Sequence, residues 1–355
     1  MSLIDKANPV RPGDELDASK VEAYIKGHIP GVSGALEVEQ FSSGYSNLTY
    51  LLRLGERKFV LRRPPVGTKA ATAHDMKREY TIQKMLKPVY PYCPRVYAYC
   101  EDESVIGAPF YVMERVRGII LRKDLPEGLT LSEDQARMLC EKLLSVHLEL
   151  HDIDYVKAGL GDFGKPEGYV RRQVEGWSKR FRNAHTPDSP DFERGMKWLA
   201  EKMPPDTDRP AIIHNDYRFD NVVLGESDPM RIIAVLDWEM ATVGDPLMDL
   251  GNSLAYWIQA DDPPESQMMR LLPTTMPGAL TRMEMAELYS EKSGRSIEKF
   301  DWYLAFGLFR LAVIAQQIYY RFYHGQTTNE KFRVLVFGVH MLEKSVAELI
   351  DKSKI

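Results

Sequence analysis

The chain of 355 residues contains little cysteine. Its three cysteines are Cys93, Cys100 and Cys140, and an odd number cannot all form disulfides within one chain. No two of them are separated by two residues, so the spacing argues against a zinc ribbon and against a dithiol redox centre. Buried thiols in a reducing compartment are the expected state of such cysteines, and we therefore predict a cytoplasmic protein.

The chain also lacks an excess of basic residues and a long uninterrupted apolar run. Lys and Arg together number 46 and Asp and Glu 51, which gives a formal net charge of −5. Bulk charge therefore does not favour nucleic acid as a partner. The most apolar stretch, residues 302–320, is interrupted by Arg310, so we expect a buried helix there and no membrane partner. Residues 1–13 lack the apolar core of a signal peptide.

The first third of the chain is predicted to be rich in strands, and the rest to be mainly helical. Runs separated by short turns predict antiparallel strands over residues 36–41, 48–54, 58–61, 95–99 and 110–116. Helices are predicted over residues 16–28, 70–87 and 132–151, and Ser132 can cap the last of them. The change of character near residue 116 predicts an α+β chain with two domains, residues 1–116 and 117–355.

The segment from residue 212 to residue 250 contains the pattern that is most informative about chemistry. An apolar strand ends in the sequence His214-Asn215-Asp216, and Asn221 follows five positions after the aspartate. A second apolar strand then ends at Asp237. Carboxylate and amide oxygens are the hard donors that Mg²⁺ prefers, commonly together with phosphate oxygens. The spacing therefore predicts a loop that carries one carboxylate, with an amide oxygen and a second carboxylate nearby.

This pattern resembles the catalytic loop of protein kinases followed by their metal-binding strand. With Asp-Trp-Glu at 237–239 and Gly-Asp-Pro-Leu-Met-Asp at 244–249, it is more similar to the aminoglycoside phosphotransferase and choline kinase branch. Within that branch it is most similar to kinase-like domains that occur alone or fused to acyl-CoA dehydrogenases. The resemblance covers about residues 36–350. It implies a bilobal protein-kinase-like fold, with an antiparallel sheet in the N-terminal lobe and a mainly helical C-terminal lobe.

The resemblance also assigns roles to the residues of the pattern. Asp216 would be the catalytic base, which orients the substrate hydroxyl and accepts its proton. Asn221 and Asp237 would hold Mg²⁺ against the phosphates. His214 and Asp249 would support the loop structurally.

The N-terminal strands supply a matching set for the nucleotide. Val60 and Arg62 lie on the same face of their predicted strand, because alternate residues of a strand share a face. The resemblance implies that Val60 covers the adenine and that Arg62 binds phosphate where a kinase has Lys, with Glu79 as its partner. Arg63 would point away and is predicted to lie at the surface.

Two further segments complete the predicted nucleotide site. The loop that stands in the position of the glycine-rich flap has only one glycine, and its candidate phosphate ligands are Ser43, Gly44, Ser46 and Asn47. The hinge would place Met113 behind the adenine, and the backbone of Glu114 and Val116 would bond to the edge of the base. No Ala-Pro-Glu sequence follows Asp237, so the resemblance does not extend to the activation segment of protein kinases.

The resemblance implies an ATP- and Mg²⁺-dependent phosphotransferase that moves the γ-phosphate to a hydroxyl of a small molecule. It suggests a hydroxyacyl-CoA or another anionic hydroxylated metabolite as acceptor, and a functional link to an acyl-CoA dehydrogenase. The five basic residues between 171 and 182 would suit an anionic acceptor, or they form a solvated helix face. Because acids also occur at Asp261, Asp262 and Glu265, charge alone does not exclude a polycationic acceptor. The alternative functions are a catalytically inactive nucleotide-binding scaffold and a metal-dependent phosphohydrolase, and GTP stays open as donor.

Overall fold

The computed structural model describes residues 4–41, 47–65 and 75–355. Its contacts divide these residues into two compact units. The N-terminal unit contains the described residues up to Ile120, together with Val156–Leu160 and Asn221–Ala241. The C-terminal unit contains Leu121–Tyr155, Gly161–Asp220 and Thr242–Ile355. The chain therefore returns to the N-terminal unit twice. The division into two domains, residues 1–116 and 117–355, stays a prediction.

The N-terminal unit is built around a five-stranded antiparallel sheet. Its strands are β1 (Leu36–Gln40), β2 (Leu48–Leu54), β3 (Arg57–Arg63), β4 (Val96–Cys100) and β5 (Phe110–Glu114). They lie in the order β1-β2-β3-β5-β4, and every neighbouring pair is antiparallel. The five strands predicted from short turns are therefore present, with ends shifted by no more than two residues. The predicted α+β fold is confirmed.

The two faces of this sheet have different partners because side chains alternate along each strand. One face carries Leu61 and Val112 and packs against helix α1 (Ala18–His28) through Val21 and Ile25. The opposite face carries a smaller apolar cluster that includes Val60 and Met113. Helix α2 (Met76–Leu86) contributes Met76 to that cluster, and Asp75 caps the helix by accepting from Arg78 N. The part of the predicted second helix at residues 70–74 lies outside the described residues.

Arg63 corrects one expectation about this sheet. Its side chain was predicted to lie at the surface, yet the residue is buried. Its guanidinium donates from Nη1 to the carbonyl oxygen of Ile106 at 2.9 Å and from Nε to that of Pro64 at 3.2 Å. Carbonyl oxygens from neighbouring loops therefore satisfy the charged group inside the unit.

The hairpin of residues 221–241 is joined to the N-terminal unit by backbone hydrogen bonds. It contains strands β7 (Val222–Leu224) and β8 (Ile232–Val235), which pair antiparallel. Leu224 exchanges two backbone hydrogen bonds with Ile119, and Val235 N donates to Tyr92 O at 2.9 Å. These bonds explain why a segment that is distant in sequence belongs to this unit.

The C-terminal unit is mainly helical. A short two-stranded sheet pairs β6 (Ala211–Ile213) with β9 (Thr242–Gly244). The helices are α3 (Glu133–His151), α4 (Tyr169–Asn183), α5 (Glu193–Glu201), α6 (Pro246–Ala255), α7 (Pro264–Met268), α8 (Arg282–Ser293), α9 (Phe300–Tyr323) and α10 (Leu335–Lys352). Ser132 caps α3 in a reciprocal capping box with Gln135, as its sequence predicts.

Helices α6 and α9 approach each other closely at two glycines. A Cβ atom on Gly307 would lie 2.3 Å from the carbonyl oxygen of Gly251, and one on Gly251 would lie 2.3 Å from that of Tyr303. The apolar stretch around Arg310 is this helix α9, and most of its large side chains are buried. Within the residues that the structure describes, none of the helices is both long and apolar enough to cross a membrane.

Candidate active site

A buried arginine at the end of β3 is the centre of a four-residue charge cluster in the N-terminal unit. Arg62 Nη1 donates to Glu79 Oε1 at 2.5 Å, and Nη2 donates to Asp237 Oδ1 at 2.9 Å. Glu239 Oε2 lies 3.4 Å from the same Nη2. The predicted pairing of Arg62 with Glu79 is therefore present, and the guanidinium also joins this pair to the predicted metal ligand Asp237.

Among the described residues, acids outnumber bases in this cluster. Glu79, Asp237 and Glu239 are three carboxylates around one guanidinium. Burial raises the pKa of Glu79 to about 6, the proximity of Asp237 adds to the rise, and Arg62 opposes it. Burial alone would lower the pKa of Arg62, but the neighbouring carboxylates hold it well above its ordinary value. The surplus of negative charge is what a divalent cation would neutralise.

The two predicted metal ligands flank the same end of the β7–β8 hairpin. Val222 pairs with Val235, and Leu236 N donates to the carbonyl oxygen of Asn221 at 2.7 Å. Asn221 is buried, whereas the side chain of Asp237 is 34% exposed. An amide oxygen and a partly exposed carboxylate in this arrangement fit the donor set that Mg²⁺ prefers.

Asp237 has an unusual backbone conformation. Its φ of 66° and ψ of 62° lie in the left-handed region, which is costly for most residues but more accessible to Asp and Asn. The turn immediately follows β8 and leads into the short 3-10 helix Trp238–Met240. Such strain at the end of a strand is typical of functional sites, where surrounding contacts hold the conformation.

The loop predicted to bind phosphate is represented by one described residue. Asn47 is buried and donates from Nδ2 to Glu239 Oε2 at 2.6 Å. Its amide is thus tied to the Arg62 cluster by a residue to which the sequence assigned no role. Ser43, Gly44 and Ser46 lie outside the described residues. Glu239 could have been suspected because it stands two positions after Asp237, but that spacing alone is weak evidence.

The predicted adenine contacts are partly available in the structure. Val60 and Met113 are paired across β3 and β5 and belong to the same apolar cluster. Glu114 N donates to Arg95 O, so only the carbonyl group of Glu114 could take part in the predicted base contact. The side chain of Arg115 donates a hydrogen bond to the carbonyl oxygen of Val116. The N–H of Val116 makes no hydrogen bond to any described residue, and it is the available donor.

In the C-terminal unit, Asp249 holds the backbone of the predicted catalytic loop. Its two carboxylate oxygens accept from His214 N at 2.7 Å and from Asn215 N at 2.6 Å. Asn215 has a φ of 64°, so these bonds stabilise a turn that is unfavourable for most residues. His214 is completely buried, and its Nδ1 accepts from Asp216 N at 3.3 Å. Both residues predicted to support the loop therefore contact it.

Two buried histidines of α3 complete the surroundings of Asp249. His147 Nε2 and His151 Nε2 lie 2.9 Å and 3.1 Å from Asp249 Oδ2. Burial alone would raise the pKa of Asp249, but the two histidines hold it well below its ordinary value. Burial and the neighbouring His147 lower the pKa of His151 to about 4. The three side chains could ligate a metal by type, yet hydrogen bonding already explains the arrangement. The sequence analysis did not identify either histidine.

The predicted base Asp216 has a cationic neighbour that the sequence analysis also missed. Arg218 Nη2 lies 3.3 Å from Asp216 Oδ2, and its Nε lies 3.2 Å from Asp220 Oδ1. The guanidinium carbon is 4.2 Å from the centre of the Tyr256 ring. Burial raises the pKa of Asp220, and the charge of Arg218 opposes that rise. The sequence feature that could have indicated this neighbour is a basic residue two positions after the predicted base.

The basic residues of α4 were predicted either to suit an anionic acceptor or to form a solvated helix face, and their exposure favours the second interpretation. The charged side chains on this helix are exposed, namely Arg171, Arg172, Lys179, Arg180 and Arg182. Arg182, for example, pairs with Glu193 at 2.7 Å. The opposite face of the helix, with Tyr169 and Trp177, is buried. These basic residues therefore form a solvated helix face.

Comparison with known proteins gives the family. The model of the phosphotransferase enzyme family matches residues 37–272. Mouse (Mus musculus) acyl-CoA dehydrogenase family member 10 is 36% identical over 92% of this chain and 30% of that protein. Chicken (Gallus gallus) acyl-CoA dehydrogenase family member 11 is 34% identical over 99% of this chain and 45% of that protein. The chain thus spans less than half the length of these curated relatives.

Solved structures agree with the match. A protein from Ralstonia eutropha JMP134, provisionally assigned as an aminoglycoside phosphotransferase, is 32% identical, with a TM-score of 0.81 over 96% of this chain and 100% of that one. Choline kinase from Cryptosporidium parvum Iowa II has a TM-score of 0.65 at 11% identity, over 95% of this chain and 96% of that one, and shows the fold alone. The resemblance and the bilobal kinase-like fold that it implied are confirmed. The chain belongs to the phosphotransferase enzyme family.

Proposed function

We propose that the protein is a kinase that uses ATP and Mg²⁺ to phosphorylate a hydroxyl group of a small molecule. The observation that carries this proposal is the buried Arg62, which bonds to both Glu79 and Asp237. A guanidinium that is always charged can bind phosphate oxygens with two parallel hydrogen bonds. A phosphate-binding cation beside a carboxylate suited to Mg²⁺ is the arrangement that phosphoryl transfer requires.

Each residue of the site then has a defined task. Arg62 would bind the α- and β-phosphates, and Asn221 and Asp237 would hold Mg²⁺. When bound, the ion would neutralise charge on the phosphate oxygens. Asp216 would accept the proton of the acceptor hydroxyl, whose oxygen forms the new bond to the γ-phosphorus. The bond from that phosphorus to the bridging oxygen breaks, and ADP leaves with the electron pair.

The nucleotide is proposed to be ATP. Val60 and Met113 would contact the base with apolar surface, and Ser43, Gly44, Ser46 and Asn47 are the proposed phosphate loop. The carbonyl group of Glu114 and the free N–H of Val116 would bond to the edge of the base. An acceptor of the hydroxyacyl-CoA class, or another anionic hydroxylated metabolite, is favoured by the names of the relatives. Those names also support a functional link to an acyl-CoA dehydrogenase.

The first test measures ADP release from Mg-ATP with a panel of acceptors. The panel contains hydroxyacyl-CoAs, choline, homoserine, sugars and aminoglycosides, and Mg-GTP replaces Mg-ATP in a parallel series. Substitution Asp216→Asn should lower acceptor-dependent turnover by about 10²- to 10⁴-fold, because a positioned base contributes that much. The matched control is Asp208→Asn, which changes an exposed carboxylate of the same unit.

The other outcomes separate the alternative functions. Binding of Mg-ATP without turnover on any acceptor would favour an inactive nucleotide-binding scaffold. Hydrolysis that no acceptor accelerates would favour a phosphohydrolase. Absence of nucleotide binding would refute the proposal altogether.

A further inference from the structure

Arg310 is a buried cation in the middle of an apolar helix, and it has no polar partner among the residues that the structure describes. The residue is only 5% exposed, although it lies on α9 among some of the largest apolar side chains of the unit. Its guanidinium makes neither a hydrogen bond nor an ion pair with any residue that the structure describes. Isolated charges are rarely buried in proteins, because leaving water is costly for an ion without a partner. The side chain therefore requires an explanation.

Among the described residues, the guanidinium contacts an aromatic ring. Its central carbon lies 5.2 Å from the ring centre of Trp177 on α4. The same ring is also approached by the exposed Arg180, at 4.6 Å, so the stacking does not depend on Arg310 alone. A ring contact neutralises no charge and accepts no conventional hydrogen bond. The five N–H donors of Arg310 thus remain unused, and the nitrogens are not completely enclosed.

Electrostatic effects link Arg310 to the surroundings of the proposed base. Burial raises the pKa of Tyr256, and the charges of Arg218 and Arg310 both oppose that rise. The carboxylate of Asp216 acts on the same phenol in the opposite direction. Arg218 lies 4.2 Å over the Tyr256 ring and within 3.3 Å of both Asp216 and Asp220. Arg218 thus has anionic partners beside the predicted base, whereas no carboxylate in the described part of the chain pairs with Arg310.

Tyr169 on α4 is also affected by the charge of Arg310. Burial raises its pKa to about 12, while a hydrogen bond with Asn215 and the charge of Arg310 act against the rise. Asn215 directly precedes the proposed base in the chain. Trp177 therefore contacts the guanidinium, whose charge acts on two buried phenols, Tyr169 and Tyr256, that lie beside the predicted catalytic loop and Arg218.

We propose that Arg310 is the anchor for an anionic group, a carboxylate or a phosphate, on the molecule whose hydroxyl Asp216 activates. This inference rests on the proposed function, because it takes Asp216 as the base. The guanidinium would form two parallel hydrogen bonds with the anion, and the Trp177 ring would shield one side of them from water. The anchor thereby selects hydroxylated acids or phosphate esters and disfavours polycationic acceptors.

The acidic residues that could have favoured a polycation already have partners. Asp262 forms a two-pronged ion pair with Arg282, at 2.6 Å for each contact. Asp261 accepts from Gln259, and Glu265 lies 3.9 Å from Lys344. These three carboxylates are therefore less suited than Arg310 to select an acceptor by charge.

The test compares Arg310→Met with Arg180→Met. Both variants remove a guanidinium from the same tryptophan ring, but only the first removes the buried one. The probes are 3-hydroxybutyrate and glycerol 3-phosphate, and their neutral counterparts are 3-hydroxybutyramide and glycerol. Ligand-induced shifts of the melting temperature are recorded with Mg-ADP present, so that added anions do not occupy the nucleotide phosphate site.

We expect an anionic probe to stabilise the wild type and Arg180→Met, and its apparent affinity to fall about 10-fold or more in Arg310→Met. The neutral probes should not distinguish the two variants. Unliganded Arg310→Met should melt no lower than the wild type, because an unpaired buried charge has been removed. Where an acceptor supports turnover, its KM should rise in Arg310→Met while the KM for ATP is unchanged.

Two results would overturn the inference. The first is a lowered melting temperature in Arg310→Met with an undiminished response to the anions, which would make the arginine a purely structural partner of Trp177. The second is the absence of any stabilisation by the anions in the wild type. Failure of the proposed kinase function has a different signature, because Mg-ADP alone would then leave the melting temperature unchanged.

Discussion

At the scale of single residues, the buried Arg62 has two roles, because it contacts two carboxylates and is also the proposed phosphate ligand. It is placed to bind phosphate, yet it also compensates Glu79, which is completely enclosed, and contacts Asp237. A lysine could not reach two carboxylates with a planar fork of donors. The arginine at this position is therefore consistent with a site that carries more acids than a single ammonium group could satisfy.

The raised pKa of Glu79 leads to a prediction about stability and pH. Its pKa in the folded protein is about 6, compared with 4.5 for an ordinary glutamate, so the folded state binds the proton more tightly. The contribution of Glu79 to the free energy of unfolding should accordingly fall by about 1.5 kcal/mol as pH rises from 4.5 to 6.5. Substitution Glu79→Gln should remove this part of the pH dependence, as measured by urea denaturation across that range.

The control for this measurement is Glu56→Gln, which alters an exposed glutamate of the same unit. It should leave the slope of stability against pH as in the wild type. An unchanged slope in Glu79→Gln would show that the buried acid stays ionised throughout, and that Arg62 outweighs its desolvation.

At the scale of secondary-structure elements, the close packing of α6 against α9 positions two parts of the C-terminal unit. Helix α6 carries Asp249, which holds the predicted catalytic loop, and α9 carries Arg310. Gly251 and Gly307 permit the approach, because a Cβ atom on either glycine would overlap a backbone carbonyl oxygen of the opposite helix. Two glycines that disfavour helix formation locally are thus required by the packing.

We predict opposite effects for the same substitution at two helical glycines. Substitution Gly307→Ala should destabilise the protein by about 1–3 kcal/mol, because the added methyl group overpacks a rigid contact. Gly176→Ala in α4 should instead stabilise it by about 0.5–1 kcal/mol, since alanine favours the helix. At Gly176 the nearest atom to a new Cβ is the end of the flexible Arg180 side chain, at 3.8 Å.

Thermal and urea unfolding of both variants provide the measurement. A stabilised Gly307→Ala would show that the helices separate easily at this contact. A destabilised Gly176→Ala would show that helix propensity is not what limits α4.

At the scale of the whole molecule, the net charge and the charge of the proposed nucleotide site have the same sign. The chain is acidic overall, with a formal net charge of −5, and the described residues of its proposed nucleotide site include three acids around one arginine. An ATP molecule without a metal would meet repulsion there. Nucleotide binding is therefore expected to depend on the divalent cation as well as on Arg62.

This charge balance predicts metal-dependent stabilisation by nucleotide. Mg-ATP at a hundred times its Kd should stabilise the folded protein by about 2.7 kcal/mol, and EDTA should abolish the effect. Substitution Asp237→Asn should weaken the Mg-ATP effect at least about 10-fold in ligand concentration, because it removes a charged ligand. Melting curves with ATP, Mg-ATP and EDTA check both statements.

Asp228→Asn is the matched control, because it alters a carboxylate in the turn of the same hairpin, at the end away from Asp237. It should respond to Mg-ATP as the wild type does. Equal stabilisation by ATP with EDTA and by Mg-ATP would contradict the assignment of Asn221 and Asp237 as metal ligands.

The amino-acid sequence by itself determined the elements and the family of this protein. The β-strands, the capped helix at Ser132 and the pattern from His214 to Asp249 depend on alternation, caps and short spacings, which act over a few residues. The partnership of Arg62 with Glu79 was anticipated from the resemblance to kinases, not from a local pattern. The start of α2 and most of the phosphate loop fall at residues outside the described part of the chain.

Only the tertiary structure decided which charged groups are paired and which are not. Arg62 and Asp237 are 175 positions apart, and no local pattern placed Glu239 beside them. Exposure likewise distinguished the solvated arginines of α4 from the buried Arg310 and Arg63. Pairing and burial arise from packing between distant segments, and the energy of a charge depends on the surroundings that this packing creates.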